Sequence, residues 1–161
     1  MKKYYARDAL LPSGWARDVC ISVDGGDFAA VEANGTANGA KRLHGPALAG
    51  MANLHSHAFQ RAMAGLTDVR AAPHDDFWSW RELMYRFMER LTPGQAHAIA
   101  AQLYIELLKH GYTAVAEFHY VHHPVEMLFR HLDAARETGI AITLLPALYR
   151  WFAPAREQVE I

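Results

Sequence analysis

Two histidines separated by one residue, His55 and His57, follow directly on an apolar run at residues 45–54. On a β-strand, residues i and i+2 lie on the same face, with Cα atoms about 6.5–7 Å apart. Both imidazole rings can therefore converge on one metal ion, with zinc–nitrogen bonds of roughly 2.0–2.1 Å. The pattern favours metal-dependent hydrolysis, although two histidines that simply end a strand near water would show the same spacing.

The composition excludes several classes of protein. The 16 basic and 17 acidic residues nearly cancel and form no basic run, so we expect no binding to nucleic acid or to an anionic membrane. Cys20 is the only cysteine, which excludes an internal disulfide and favours a reducing compartment. The first residues lack the apolar core of a secretory signal, and no stretch approaches the roughly 18 apolar residues of a membrane span. We therefore expect a soluble, cytoplasmic protein.

Residues 1–45 have the pattern of short β-strands joined by tight turns. Val19, Ile21 and Val23 alternate with smaller or polar residues, as in a half-buried strand. The Asp-Gly-Gly sequence of residues 24–26 predicts a hairpin turn before the next strand. This part of the chain is predicted to form a small antiparallel unit.

From residue 46 to residue 161 the pattern alternates between strands and helices. Apolar runs at 48–54, 113–119 and 140–145 are typical of parallel strands buried on both faces. Helices between these strands are indicated by residues typical of helix starts, which are Asp76, Thr92 and Pro124. An apolar stripe on the middle helix, formed by Ile99, Leu103 and Leu107, supports that helix.

This order of elements predicts an α/β fold with a parallel sheet and right-handed crossovers. A closed (β/α)₈ barrel needs about 250 residues, and only three of its strands are recognisable in this sequence. The chain therefore has the pattern of the first part of a larger, TIM-like barrel.

Four segments carry a resemblance to a known family. Residues 51–65, which contain the histidine pair, resemble the first-strand motif of the amidohydrolase superfamily. Residues 77–85, 102–106 and 111–123 more narrowly resemble the formimidoylglutamate deiminases. The runs Trp-Arg-Glu-Leu-Met-Tyr and Phe-His-Tyr-Val-His-His within them are far more specific than the histidine pair alone.

The resemblance implies both a fold and an activity. The fold would be a (β/α)₈ barrel, incomplete in this chain, with residues 1–45 as the β-rich segment of a small β-sandwich domain. The activity would be the zinc-dependent hydrolysis of N-formimidoyl-L-glutamate to N-formyl-L-glutamate and ammonia, in histidine degradation. Full-length members are expected to form homodimers and to act on this small molecule.

The resemblance also implies roles for five residues of this sequence. His55 and His57 would be two zinc ligands at the end of the first barrel strand. Gln60, Arg81 and Tyr120 would contact the glutamate part of the substrate.

The chemistry of the three substrate candidates is compatible with those roles without requiring them. Gln60 can donate and accept hydrogen bonds, but it could equally be an ordinary loop amide. The planar fork of Arg81 could clamp a carboxylate in two places, but the residue could also be a surface arginine paired with Glu82. Tyr120 ends the second strand, at the end where barrel active sites form, and could instead cap a core.

The remaining parts of the family's site are expected on later strands that this sequence does not contain. Those strands carry a third histidine ligand, an aspartate ligand and the proton-transferring groups, so no catalytic residue is assigned here. His119 could lend a nitrogen to the metal, but a packed or substrate-side histidine is the favoured interpretation. His122 and His123 are left without a role.

We interpret the chain as a truncated or decayed gene product, or a fragment, that is inactive alone. One alternative is a fragment of an amidohydrolase that acts on an aminopurine or triazine-like ring. The other is a non-enzymatic metal-binding remnant, or one half of a split protein.

Overall fold

The computed structural model describes residues 1–68, 70 and 72–148 of the chain. These residues form two compact units, of which the first is Met1–Ala49 and the second begins at Gly50. The barrel segment predicted over 46–161 extends beyond them, so its last part, 149–161, lies outside the described residues.

The first unit is a four-stranded sheet in the order β3-β2-β1-β4. Its strands are β1 (Lys2–Leu11), β2 (Gly14–Asp24), β3 (Asp27–Glu32) and β4 (Lys41–Arg42). The predicted hairpin joins β2 to β3, and Gly25 and Gly26 adopt positive φ angles of 60° and 102° there. Such angles favour glycine because it has no Cβ atom.

The pairing in this sheet is antiparallel except at one edge. The short strand β4 runs parallel to β1, so the predicted purely antiparallel unit is wrong in this detail. After β3 the chain crosses to the opposite edge of the sheet, where β4 runs in the same direction as β1 and β3. Ala6, Ala9 and Val19 are the buried residues of the unit.

The second unit alternates strands and helices around a three-stranded parallel sheet in the order β5-β6-β7. Its elements are β5 (Met51–Ser56), a 3-10 helix (Ala58–Met63), α1 (Phe77–Met88), α2 (Pro93–Lys109), β6 (Tyr112–His119), α3 (Glu126–Thr138) and β7 (Ala141–Pro146). The predicted α/β class and the parallel sheet are confirmed. No helix in the described ranges has both the length and the apolar character needed to cross a bilayer.

Two of the three predicted helix starts are confirmed by their capping hydrogen bonds. The Asp76 carboxylate accepts the backbone N–H groups of Trp78 and Ser79 at 2.8 and 3.1 Å. The Thr92 hydroxyl accepts the backbone N–H of Gln95 at 3.3 Å. The third helix begins at Glu126 and not at Pro124, because the chain first makes a tight turn in which the Pro124 carbonyl accepts from Met127 at 2.9 Å.

The residues of α2 that are buried in the core are not those of the predicted apolar stripe. The buried residues of α2 are Ala96, Ala100 and Tyr104, whereas Leu103 and Leu107 pack at its margin. Small alanine side chains let the backbone of α2 approach its neighbours closely, and Tyr104 fills the remaining space with none of its surface exposed.

One face of the parallel sheet is exposed, so the prediction that residues 48–54 are buried on both faces is wrong. Met51 and Leu54 are 50% and 79% exposed. In a closed barrel this face is filled by side chains from the other strands. The three strands of the described chain do not close, which is the arrangement expected of an incomplete barrel.

Candidate metal centre

The structure brings the two predicted metal ligands together. His55 lies within β5, and His57 follows the strand directly, as the N-cap of the 3-10 helix. Their Nε2 atoms are 2.9 Å apart. Two nitrogens at roughly 2.0–2.1 Å from one tetrahedral zinc ion would lie about 3.3 Å apart. The rings are therefore already close to the separation that a shared metal ion requires.

The tautomer of His57 follows from its second ring nitrogen. Nδ1 lies 2.8 Å from the carbonyl oxygen of Phe118, which can only accept, so Nδ1 carries the proton. The neutral ring then presents the lone pair of Nε2 towards His55. Burial lowers the pKa of His57, the hydrogen bond to the Phe118 carbonyl opposes that effect, and the neighbouring His55 adds to the lowering. The pKa is lowered on balance, which favours the neutral form that binds metal.

Aromatic rings surround the inner histidine. The rings of Phe118 and Tyr120 meet the His57 ring edge-on, with centroids at 5.4 and 5.2 Å. Phe59 in turn packs edge-on against Tyr120 at 5.4 Å. These contacts restrict the orientation of the imidazole at the carboxyl ends of β5 and β6.

Two of the three predicted substrate-binding residues lie beside the pair and touch each other. The Gln60 amide nitrogen donates to the Tyr120 hydroxyl at 3.1 Å. Both side chains also approach the sulfur of Met84, at 3.7 and 3.5 Å respectively. One side chain each from the 3-10 helix, the end of β6 and α1 thus meet next to His57. Contact with a substrate stays a prediction for Gln60 and Tyr120.

The third predicted substrate-binding residue, Arg81, lies on α1 one turn before Met84. Its Nε donates to the Tyr85 hydroxyl at 2.9 Å. The guanidinium lies over the rings of Trp78 and Tyr85, at 5.5 and 5.3 Å from their centroids. These contacts fix the direction of the guanidinium, and α1 links it through Met84 to the Gln60–Tyr120 pair.

His119 lies on the other face of β6, the face that packs against the helices. It is 3% exposed, its Nε2 is 2.6 Å from the Val121 carbonyl oxygen, and its ring lies 4.6 Å from that of His131. Of the two favoured interpretations, packed or substrate-side, the structure shows His119 as a packed histidine. Within the described ranges, no group of three or more His, Cys, Asp or Glu side chains could hold a metal ion.

The sequence analysis gave no role to Glu117, which the structure places behind the histidine pair. Its side chain is 1% exposed, and its Oε1 accepts the backbone N–H of Ala58 at 2.6 Å. Burial raises the pKa of Glu117, and the nearby Ser56, Ala58 and Tyr104 donors oppose that effect. A carboxyl group inside an otherwise apolar strand was the available signal, since buried charges are rare unless they have partners.

The buried His119 predicts a loss of stability in mild acid. Burial lowers its pKa to about 4, whereas an unfolded chain would titrate near 6.5. Between these values the unfolded state binds more protons, so the free energy of unfolding falls as the pH falls. The loss from pH 7 to pH 4 is about 3 kcal/mol, and urea unfolding of the chain at several pH values would measure it.

A comparison with His119→Gln isolates this contribution from its neighbours. The pKa of His131 is also lowered by burial and acts in the same direction, while the raised pKa of Glu117 acts in the opposite one. His122 faces the same ring at 5.3 Å. The His119→Gln variant should lose less stability in acid than the unchanged chain. The His123→Gln variant, which alters an exposed histidine, should lose as much stability as the unchanged chain. Parallel pH profiles for all three would contradict the prediction.

Two family profiles match the chain. Residues 1–45 match the N-terminal domain of formimidoylglutamate deiminase HutF, and residues 47–156 match the amidohydrolase family. The first match lies within the first compact unit, and most of the second match lies within the second unit.

Three individual relatives also resemble the chain. A formimidoylglutamate deiminase from Pseudomonas aeruginosa is 55% identical over 159 residues, which cover 92% of this chain and 35% of that protein. An amidohydrolase structure from Brucella melitensis is 44% identical, with a TM-score of 0.82, over 90% of this chain and 34% of that one. Atrazine chlorohydrolase TrzN from Arthrobacter aurescens, solved in complex with zinc, shares the fold at 19% identity, with a TM-score of 0.67, over 91% of this chain and 35% of that one. The chain thus spans about a third of the length of each of these relatives.

Proposed function

Because the chain belongs to the amidohydrolase family, we propose that it is the N-terminal part of a zinc-dependent deiminase. The proposed reaction adds water to the carbon–nitrogen bond of N-formimidoyl-L-glutamate and releases N-formyl-L-glutamate and ammonia. The observation that carries this proposal is the 2.9 Å approach of His55 Nε2 to His57 Nε2 in a chain that is 55% identical to a formimidoylglutamate deiminase.

His55 and His57 would hold the zinc ion, and the geometry of their ring nitrogens fits that role. Zinc bound at such a site lowers the pKa of a water molecule to about 7 and polarises the bond to be hydrolysed. Two imidazoles are fewer than the three protein ligands of a usual catalytic zinc site. The proposal therefore requires further ligands from outside the described residues, and the chain alone is proposed to be inactive.

Gln60, Tyr120 and Arg81 would bind the substrate. The amide and hydroxyl groups of Gln60 and Tyr120 lie next to His57, where they can orient a polar substrate by hydrogen bonds. The planar Arg81 guanidinium suits a carboxylate of the glutamate part, because its parallel N–H groups match the two oxygens. We further propose a cytoplasmic homodimer that acts on this small molecule, without nucleic acid or membrane partners.

A chimera tests the proposed activity. In it, residues 1–148 are fused to the part of the P. aeruginosa relative that follows its matching segment, so that the missing strands are supplied. The purified chimera should contain zinc and release ammonia from formimidoylglutamate, and the 161-residue chain should release none.

Two outcomes would contradict the proposal in different ways. A folded, zinc-containing chimera that deaminates an aminopurine or triazine ring but not formimidoylglutamate would favour the ring-directed alternative. A folded chimera without zinc or activity would favour the non-enzymatic alternative.

A further inference from the structure

Consecutive residues of β6 hold the His57 segment from two sides. On one side, the Phe118 carbonyl oxygen accepts the ring Nδ1–H of His57 at 2.8 Å. On the other face of the strand, Glu117 Oε1 accepts the backbone N–H of Ala58 at 2.6 Å. Glu117 is also the cross-strand partner of Ser56, so its carboxyl group lies against the residues on both sides of His57.

We propose that Glu117 is a positioning residue for the metal-binding pair. Its hydrogen bond to Ala58 fixes the turn after β5, so that His57 Nε2 stays 2.9 Å from His55 Nε2. This inference rests on the proposed function, because it takes the pair to be a metal site.

The local geometry shows why this turn needs an outside acceptor. Ala58 is the first residue of the 3-10 helix, and the first N–H groups of a helix have no partner within it. The N-cap residue His57 makes no side-chain capping bond, because its ring points towards His55 and Phe118. Glu117 supplies the acceptor from the neighbouring strand.

The Glu117 carboxyl group is itself enclosed by side chains of two helices. The side chain is 1% exposed, and His131 Nε2 on α3 lies 3.7 Å from its Oε1. Tyr104 on α2 lies on the same buried side of β6, with no exposed surface. A side chain enclosed in this way has few rotamers available, so its position can define the position of the turn.

Two substitutions separate the reach of this side chain from its charge. Glu117→Gln keeps the length and an oxygen acceptor but removes the charge, while Glu117→Asp keeps the charge and is shorter by one methylene group. Zinc affinity of the 161-residue chain would be measured by competition with a chromogenic chelator. The glutamine variant should stay within about threefold of the unchanged chain, and the aspartate variant should bind roughly 10–100-fold more weakly, the range typical of lost outer-shell support.

A matched control separates positioning from general destabilisation. Val115→Ala removes a buried side chain from the same face of β6, two residues before Glu117 and away from the turn. It should lower stability but leave the zinc affinity unchanged. Equal losses in the Asp and Gln variants, or in the Asp and Val115→Ala variants, would overturn the proposal. If the aspartate variant does not fold, a folded glutamine variant with at least tenfold weaker binding overturns it as well.

A second measurement needs no metal. Nitrogen-15 NMR of the His57 ring in the zinc-free chain should show the proton on Nδ1, and Glu117→Asp should mix the two tautomers. An unchanged tautomer in that variant would refute the positioning role. A mixed tautomer in a chain that binds no zinc even without substitution would support the positioning role and contradict the proposed metal site.

Discussion

Replacing Arg81 by methionine is expected to lower kcat/KM of the chimera for formimidoylglutamate roughly 30-fold to several thousandfold. The change would remove the charge-assisted bond that we propose between Arg81 and a substrate carboxylate, and would leave that carboxylate without its partner. Truncating one member of a buried charge pair costs on the order of 2–5 kcal/mol, and every 1.4 kcal/mol corresponds to about tenfold. The zinc content should stay unchanged, because Arg81 is not among the proposed ligands.

Two further variants test whether the shape of the guanidinium matters. Arg81→Lys should restore only part of the activity, because an ammonium group offers a point charge and no fork. Arg86→Met changes an exposed arginine on the same helix and should have little effect. A kcat/KM within about twofold of the unchanged chimera in the Arg81→Met variant would remove the best support for a glutamate-type substrate.

Replacing His57 by alanine is expected to abolish measurable zinc binding by the 161-residue chain. The variant leaves one imidazole where the structure has two Nε2 atoms 2.9 Å apart, so the proposed two-ligand site would be lost. Changes outside the ligand shell already cost roughly 10–100-fold in metal affinity, and loss of a ligand should cost more. The chelator competition used for Glu117 would measure the difference.

The control for this prediction is another histidine of the chain. His123→Ala alters an exposed histidine and should leave zinc affinity unchanged. The unchanged chain should bind zinc weakly, because its pair supplies two ligands. One tightly held zinc ion that survives both dialysis and the His57→Ala substitution would contradict the assignment of the pair.

Local features of the fold were predictable because they depend on neighbouring residues. The caps at Asp76 and Thr92 are formed within the first turn of each helix, and the turn at Gly25 depends on its own φ angle. The histidine pair is equally local, since strand geometry alone brings positions 55 and 57 to one side. Such features need no knowledge of the rest of the chain.

The parts that could not be predicted depend on contacts between distant segments. The bond from Ala58 to Glu117 joins residues 59 positions apart, and it exists only because β5 and β6 pair in one particular register. The exposure of Leu54 likewise depends on which strands surround the sheet and not on its own sequence. An apolar run indicates a strand, but it does not determine which of its faces are covered.

The partner of the His57 ring is a main-chain carbonyl, and this affects how the site can change during evolution. Any residue at position 118 supplies the same oxygen, so no single substitution deletes the group that sets the tautomer. Gln60, Arg81 and Tyr120 are proposed to act through their side chains, which single substitutions can replace. Substitutions at those three positions therefore leave the acceptor of the His57 ring in place.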